Sequence, residues 1–234
     1  MEKCEGFIIR KKLYGESDYI LTIFTREMGK ISGLAKYAKK SKKRFGGRLE
    51  PFLLLKIFIK RNTGKFNLIN DVELIKSFQN IYEDLESFLI SSFILEHIDI
   101  LTPEYEPMED LFELTITSFE KINRGESILP VLLSFQIRAL GICGYEPDIG
   151  RVLKTGEGPE SSVFSISGGG LKDKKVKIDN IDTFEFHNDI IVNPERMEIF
   201  LSRVAKNIKV LTKYTEYYAE RKFKTSKFLE DLKI

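Results

Sequence analysis

The chain has 234 residues, 27.1 kDa, with 42% hydrophobic and 31% charged residues, a globular composition with room for one large domain or roughly two to three small ones. The longest apolar stretch, Leu85 to Leu101, is broken by Glu86, Ser91, Ser92, Glu96, His97 and Asp99, which excludes a membrane span of about eighteen uninterrupted apolar residues. A net charge of +2 hides a division: residues 1–80 hold 18 Lys and Arg against 8 Asp and Glu, the remainder 19 against 27, which implies two domains with different partners.

The opening MEKCEGF has no apolar signal core and no myristoylation glycine, so a cytoplasmic protein is expected. Cys4 and Cys143 are far apart and lack C-x-x-C spacing; two reduced thiols are expected. The first eighty residues predict strands at Gly6 to Arg10, Tyr19 to Thr25, Ile31 to Ala35, Phe52 to Lys60 and Lys65 to Val72, short, rich in β-branched and aromatic residues, and divided by breaks such as Tyr14-Gly15-Glu16-Ser17 and Asn62-Thr63-Gly64. Five such strands suggest a small barrel. In the fourth, Leu53, Leu55, Ile57 and Ile59 alternate with Lys56, Phe58 and Lys60, one face core and the other an aromatic between cations.

Between the third and fourth strands lies the basic stretch. Lys30, Lys36, Lys39, Lys40, Lys42, Lys43, Arg44 and Arg48 stand with no acid among them. Such a density repels itself unless an anion lies alongside, and a nucleic-acid strand gains affinity by releasing condensed counterions. The alternative is a solvated loop. Phe58 suits base stacking with Lys56, Lys60 and Arg61 on phosphates, or else packing under a loop. Arg10, Lys11 and Lys12 complete the candidate nucleic-acid contacts.

From Asn80 the period becomes helical. One helix runs to about Leu101 before Thr102-Pro103, a second opens at Pro107 and ends before Gly125, a third opens at Pro130 and ends at Gly141 to Gly144; a bundle of the three is expected. Residues 148–192 form a Gly-, Ser- and Lys-rich insertion for which loops and at most a small hairpin are predicted. Asn193-Pro194-Glu195 caps a long helix bearing Ile199, Phe200, Val204, Ile208 and Leu211, and Thr225 a last short one. The fold class is therefore α+β, a β-barrel over 1–79 followed by a mainly helical domain over 80–234.

Motifs for turnover chemistry are scarce. Gly64-Lys65-Phe66 is no Walker A site, G-x-S-x-G does not occur, and His97 and His187 are too few for triads. His97 reads as a satisfied core or boundary residue. Glu83, Asp84, Glu86, Glu104, Glu106, Glu109 and Asp110 gather near helix starts, where anions favour the helix dipole; the alternative is a two-metal nuclease site.

The residues also carry a resemblance. Glu5-Gly6-Phe7-Ile8-Ile9-Arg10, Tyr14-Gly15-Glu16-Ser17-Asp18, Phe24-Thr25-Arg26-Glu27-Met28-Gly29-Lys30, Gly33-Leu34-Ala35-Lys36 and Leu49-Glu50-Pro51-Phe52 closely resemble the N-terminal domain of the bacterial RecO family of recombinational repair proteins. The likeness continues in Ser134-Phe135-Gln136-Ile137-Arg138-Ala139-Leu140, Gly144-Tyr145-Glu146-Pro147 and Lys224-Thr225-Ser226-Lys227-Phe228-Leu229, covering nearly the whole chain. It implies an OB-fold first domain and a non-enzymatic protein, cytoplasmic and nucleoid-associated. Such a protein binds single- and double-stranded DNA, anneals complementary strands, and with RecR helps RecA replace single-strand-binding protein (SSB). It further implies docking of the acidic SSB tail on the helical domain, for which Arg138 is nominated against a bracing role. Many members carry a four-cysteine zinc site whose positions fall here near Val152, Thr155, Lys172 and Lys175; with no thiolate among them, no structural zinc and no cofactor are expected, and Gly156 to Lys175 should be the most mobile part. The competing classes are a metal-dependent nucleic-acid enzyme with an OB-fold clamp and a protein-binding scaffold.

Overall fold

Alternation of apolar and polar side chains gives five strands that close on themselves. A computed structural model describes residues 1–61, 66–149, 161–172, 182–192 and 200–227. Strands β1 (Glu2–Tyr14), β2 (Asp18–Thr25), β3 (Gly29–Ala35), β4 (Leu53–Lys60) and β5 (Asn67–Ser77) form a closed barrel in the order β1-β2-β3-β5-β4. All neighbours are antiparallel except β3 and β5, which pair in parallel at Gly33 with Asn67 and Leu34 with Leu68. This is the expected OB-fold-like barrel. β1 runs four residues past the predicted Arg10, because Lys11 to Tyr14 keep pairing with β2 although their charge reads as a break.

The barrel interior is aliphatic: Ile8, Leu21, Ile23, Ile31, Leu55, Ile57, Ile59 and Ile69 are buried. As predicted, Leu55, Ile57 and Ile59 point inward while Lys56, Phe58 and Lys60 retain exposure; Leu53, expected on the inward face, is only half-buried because the register shifts between Leu54 and Leu55. Neighbouring positions hold aromatic rings outside the barrel. Phe7 and Phe24 meet Phe112 at 5.5 and 5.6 Å, and Phe52 meets Phe88 edge-on at 5.4 Å, each such pair adding about 0.5–1.5 kcal/mol beyond burial. Those partners come from helices α2 (Leu85–Leu101) and α3 (Glu109–Asn123), which follow a single turn, α1 (Asn80–Glu83). α2 starts where the Asp84 carboxylate accepts the Ser87 N–H at 2.7 Å and stops at Thr102, ahead of Pro103.

His97 on α2 is fully buried, its ring edge-on to Phe93 and its Nδ1 donating to the Phe93 carbonyl at 2.9 Å. Burial pushes the imidazole down to about 4. Below about pH 6.5 the unfolded chain therefore binds a proton that the folded chain refuses. The associated stability is complete above that pH and is lost as pH falls towards 4, by up to about 3 kcal/mol. His97→Gln should shrink the fall in urea midpoint between pH 7 and pH 4.5; equal falls in variant and wild type would refute the assignment.

The described chain divides into two compact units, Met1–Asn123 and Arg124–Ile234. The expected three-helix bundle is therefore corrected: α1 to α3 belong with the barrel, and α4 (Ile128–Ile142) pairs with the long helix α6 (Leu201–Tyr218). The reason lies in the buried α4 face, where Gln136 Nε2 donates to Thr212 Oγ1 at 3.0 Å and Val131, Leu132, Phe135 and Leu140 are buried. α4 also begins two residues before Pro130, the predicted start.

The presumed irregular insertion contains a three-stranded sheet, ordered β7-β6-β8, of β6 (Ser161–Ser165), β7 (Gly170–Lys172) and β8 (Thr183–His187), with a helical turn α5 (Asp189–Val192) after it. Asn207 of α6 brackets the end of β8, accepting from the His187 N–H and donating to the His187 carbonyl, both at 2.9 Å. Gly170, at φ 150°, is required where the chain presses on Asp148: a Cβ there would lie 2.5 Å from the Asp148 nitrogen. Of the four positions aligned with zinc ligands, Val152, Thr155 and Lys175 lie outside the described residues. Lys172 donates its ammonium to the Gly168 carbonyl at 2.7 Å. A cation cannot ligate zinc, so the donor set does not fit a tetrahedral site. The predicted start of the long helix at 193–199, part of the segment expected to be most mobile, and the last helix beyond Lys227 also lie outside the described residues.

Candidate nucleic-acid interface

Strand register brings one set of outward side chains into a row through all five barrel strands. Lys12 faces Ile20, Ile20 faces Leu34, Leu34 faces Leu68, and Leu68 faces Lys60. The three aliphatic residues are half-buried and the two lysines exposed. Such a row is an apolar strip with an ammonium at each end. Beside it a cavity of about 250 Å³ is lined by Leu34, Leu68, Phe66, Lys36, Lys60 and Arg61. An aromatic ring, two aliphatic side chains and three cations thus converge on one concavity, an arrangement that suits unpaired bases on the apolar floor and phosphates at the rim.

Lys36 opens the basic connection from β3 to β4. The connection is not a loose loop: Ala38, Phe45 and Leu49 are buried in the barrel core. Its arginines bind its own backbone. Arg44 donates to the Lys36 carbonyl at 2.8 Å, and Arg48 to the Lys43 carbonyl at 2.9 Å. Lys36, Lys39, Lys40, Lys42 and Lys43 are left exposed, so guanidinium groups shape the segment and ammonium groups face water. This follows from donor geometry, since a planar guanidinium reaches several carbonyls at once and an ammonium is a solvated point charge.

Several nominated cations are engaged elsewhere. Lys30 is corrected: it is only 7% exposed, and its Nζ donates to the Asp99 carbonyl at 2.6 Å and lies 3.4 Å from Asp99 Oδ1. Held there against Asp99 of α2, the Lys30 ammonium is withdrawn from the surface. Arg10 pairs with the same Asp99 carboxylate, Lys11 with Glu50, and Arg61 with Glu2 at 2.8 Å while still lining the cavity. Lys56 stands in register between Glu5 on β1 and Glu73 on β5, two acidic neighbours that make this stretch less attractive to a phosphate chain. Phe58 faces outward, half-buried, with the Lys3 ammonium 5.7 Å from its ring centre. Its register neighbours are Lys3 and Asp71, so the aromatic beside the cation cluster is Phe66 instead. Sequence reading missed Phe66, Ile20, Leu34 and Leu68. Each is an ordinary strand residue, and only register reveals that they share a surface.

In the second unit Arg138 is exposed on α4, opposite the face that packs. A separate open groove of about 590 Å³ is lined by Lys213, Tyr217, Arg221 and Lys222 but also by Asp182, Glu216 and Glu220. Glu216 pairs with Lys222 at 2.7 Å and accepts the Phe223 N–H at 3.0 Å, so the groove is not a plain cationic site. Among the described residues no helix is long and apolar enough to cross a membrane, and no group of three or more His, Cys, Asp or Glu is placed to hold a metal ion.

Comparison with known proteins returns matches along nearly all of the chain. Residues 1–78 match the family model Recombination protein O N terminal, and residues 82–227 match Recombination protein O C terminal. The chain is 30% identical over 240 residues to DNA repair protein RecO of Caldanaerobacter subterraneus subsp. tengcongensis, covering 97% of this chain and 96% of that protein. It is 27% identical over 247 residues to DNA repair protein RecO of Syntrophus aciditrophicus, covering 98% and 95%. Against DNA repair protein RecO of Bacillus velezensis the identity is 34% over 171 residues, 73% of this chain and 67% of that protein.

Proposed function

The chain belongs to the RecO family, and from that premise we propose that it is a non-enzymatic DNA-binding mediator of recombinational repair. It binds single- and double-stranded DNA through the barrel, anneals complementary strands, and with RecR assists RecA onto SSB-coated strands. The observation that carries the reading is the cavity where Phe66, Leu34 and Leu68 meet Lys36, Lys60 and Arg61, at the start of a connection bearing four further exposed lysines. Cations of this kind grip phosphates without regard to sequence, and the apolar floor favours unpaired bases. Both properties suit a protein that must handle any single strand.

Arg138, the residue nominated for the SSB tail, is placed in this reading on the partner-facing side of α4. Annealing of complementary oligonucleotides, bare or coated with SSB, tests the proposal. The protein should accelerate both, and labelled strands should keep their length with Mg²⁺ or Mn²⁺ present. Arg138→Ala should slow annealing of coated strands only. No acceleration on either substrate would overturn the mediator reading, shortened strands would make the protein a nuclease, and equal rates for variant and wild type on coated strands would remove Arg138.

A further inference from the structure

We propose that Tyr37 is a base-stacking residue that strengthens the barrel's binding of single-stranded nucleic acid and not of duplex. This rests on the DNA-binding reading above and adds a site to it. β3 ends at Ala35, and two residues later the backbone enters the left-handed region, with Tyr37 at φ 56°. That conformation is disfavoured for a residue with a Cβ, and a turn needing it ordinarily recruits glycine or asparagine. Here a large aromatic occupies it, and the residue is 65% exposed, so burial does not explain the choice.

The turn is held firmly. The Tyr37 N–H donates to Asp18 Oδ1 at 2.8 Å, and the Tyr37 carbonyl accepts from the Lys40 and Ser41 amides at 3.1 and 3.0 Å. The Lys39 amide donates to the Ser17 carbonyl at 3.0 Å, tying the turn to the β1–β2 hairpin, where Tyr14 is also exposed. Tyr37 is thus an exposed residue on a fixed backbone, flanked along the chain by the exposed Lys36, Lys39 and Lys40. A base offers its π-face to such a ring only when it is unstacked and unpaired, while the flanking lysines hold the phosphates on either side.

The molecule supplies its own control. Tyr105 has the same backbone conformation, φ 62°, and comparable exposure, 55%, but it stands between Glu104 and Glu106. Two carboxylates repel a phosphate chain where the lysines around Tyr37 attract one. Strain and exposure alone do not assign a role; the charge around the ring does.

The test is binding of labelled single-stranded and duplex oligonucleotides across a salt series, with full-length Tyr37→Ala, Tyr37→Phe, Tyr37→Gly and Tyr105→Ala proteins. Tyr37→Ala should weaken single-strand binding by about five- to a hundredfold, leave duplex binding and the salt slope unchanged, and be rescued by Tyr37→Phe. Tyr37→Gly, which suits the backbone conformation and so cannot fail by unfolding the turn, should lose as much as Tyr37→Ala; Tyr105→Ala should match wild type. Wild-type single-strand affinity in Tyr37→Gly, or equal loss on both substrates, would overturn the stacking role while leaving DNA binding intact. Failure of the wild-type protein to retain DNA near physiological salt would instead overturn the underlying reading.

Discussion

Replacing Lys39, Lys40, Lys42 and Lys43 together by glutamine lowers affinity for all DNA sequences alike, and flattens its dependence on salt by about 0.7 log units per lost phosphate contact on single strands and about 0.9 on duplex. If all four touch phosphate, the loss at 0.1 M salt is about three to four orders of magnitude. Stability should barely move. The four side chains are exposed, and the connection they sit on is held by Ala38, Phe45 and Leu49 in the core and by the Arg44 and Arg48 contacts to backbone carbonyls, none of which the substitution touches. The measurement is the slope of log affinity against log salt, beside a thermal melt. An unchanged slope with an unchanged melt would move the DNA surface away from this connection.

Asp99→Ala produces the largest loss of stability, roughly 3 kcal/mol. The carboxylate is 7% exposed and serves both Arg10 and Lys30, whose side-chain exposures are 46% and 9%. Without it the Arg10 guanidinium can turn to water, but the Lys30 ammonium stays buried facing the Asp99 carbonyl. Removing one member of a buried pair costs more than the pair contributes, and the loss belongs at the lower end of the usual range because Lys30 keeps its hydrogen bond to that carbonyl. Adding Lys30→Met should recover most of the loss, read as the urea midpoint at constant slope. The double variant should also bind DNA as wild type does. Weakened DNA binding at full stability would return Lys30 to the interface.

Much of the barrel was legible in the sequence because a strand with one wet face writes its own alternation: Leu55, Ile57 and Ile59 against Lys56, Phe58 and Lys60 places β4 and its inward face without reference to any other strand. The end of α2 was equally plain at Thr102-Pro103, but the helical period was read from Asn80, and only the structure separates the turn α1 and starts α2 after the Asp84 cap. The insertion was not, because β6, β7 and β8 are three to five residues long, too short for a pattern to rise above glycine and serine. The expected bundle failed for a related reason. Periodicity shows that α4 has a face to bury, but not that α6, some sixty residues on, is what covers it.

From its residues alone the chain declared a basic, five-stranded first third, helices after it, and a run of lysines suited to polyphosphate, since composition and period are local properties. Tertiary structure decided which of those charges are available. Lys30 and Lys36 are indistinguishable as letters; a hydrogen bond to Asp99 of α2 buries one, and the cavity beside Phe66 displays the other. Register, likewise, is a relation between strands, so the strip from Lys12 through Ile20, Leu34 and Leu68 to Lys60 exists only once the barrel has closed.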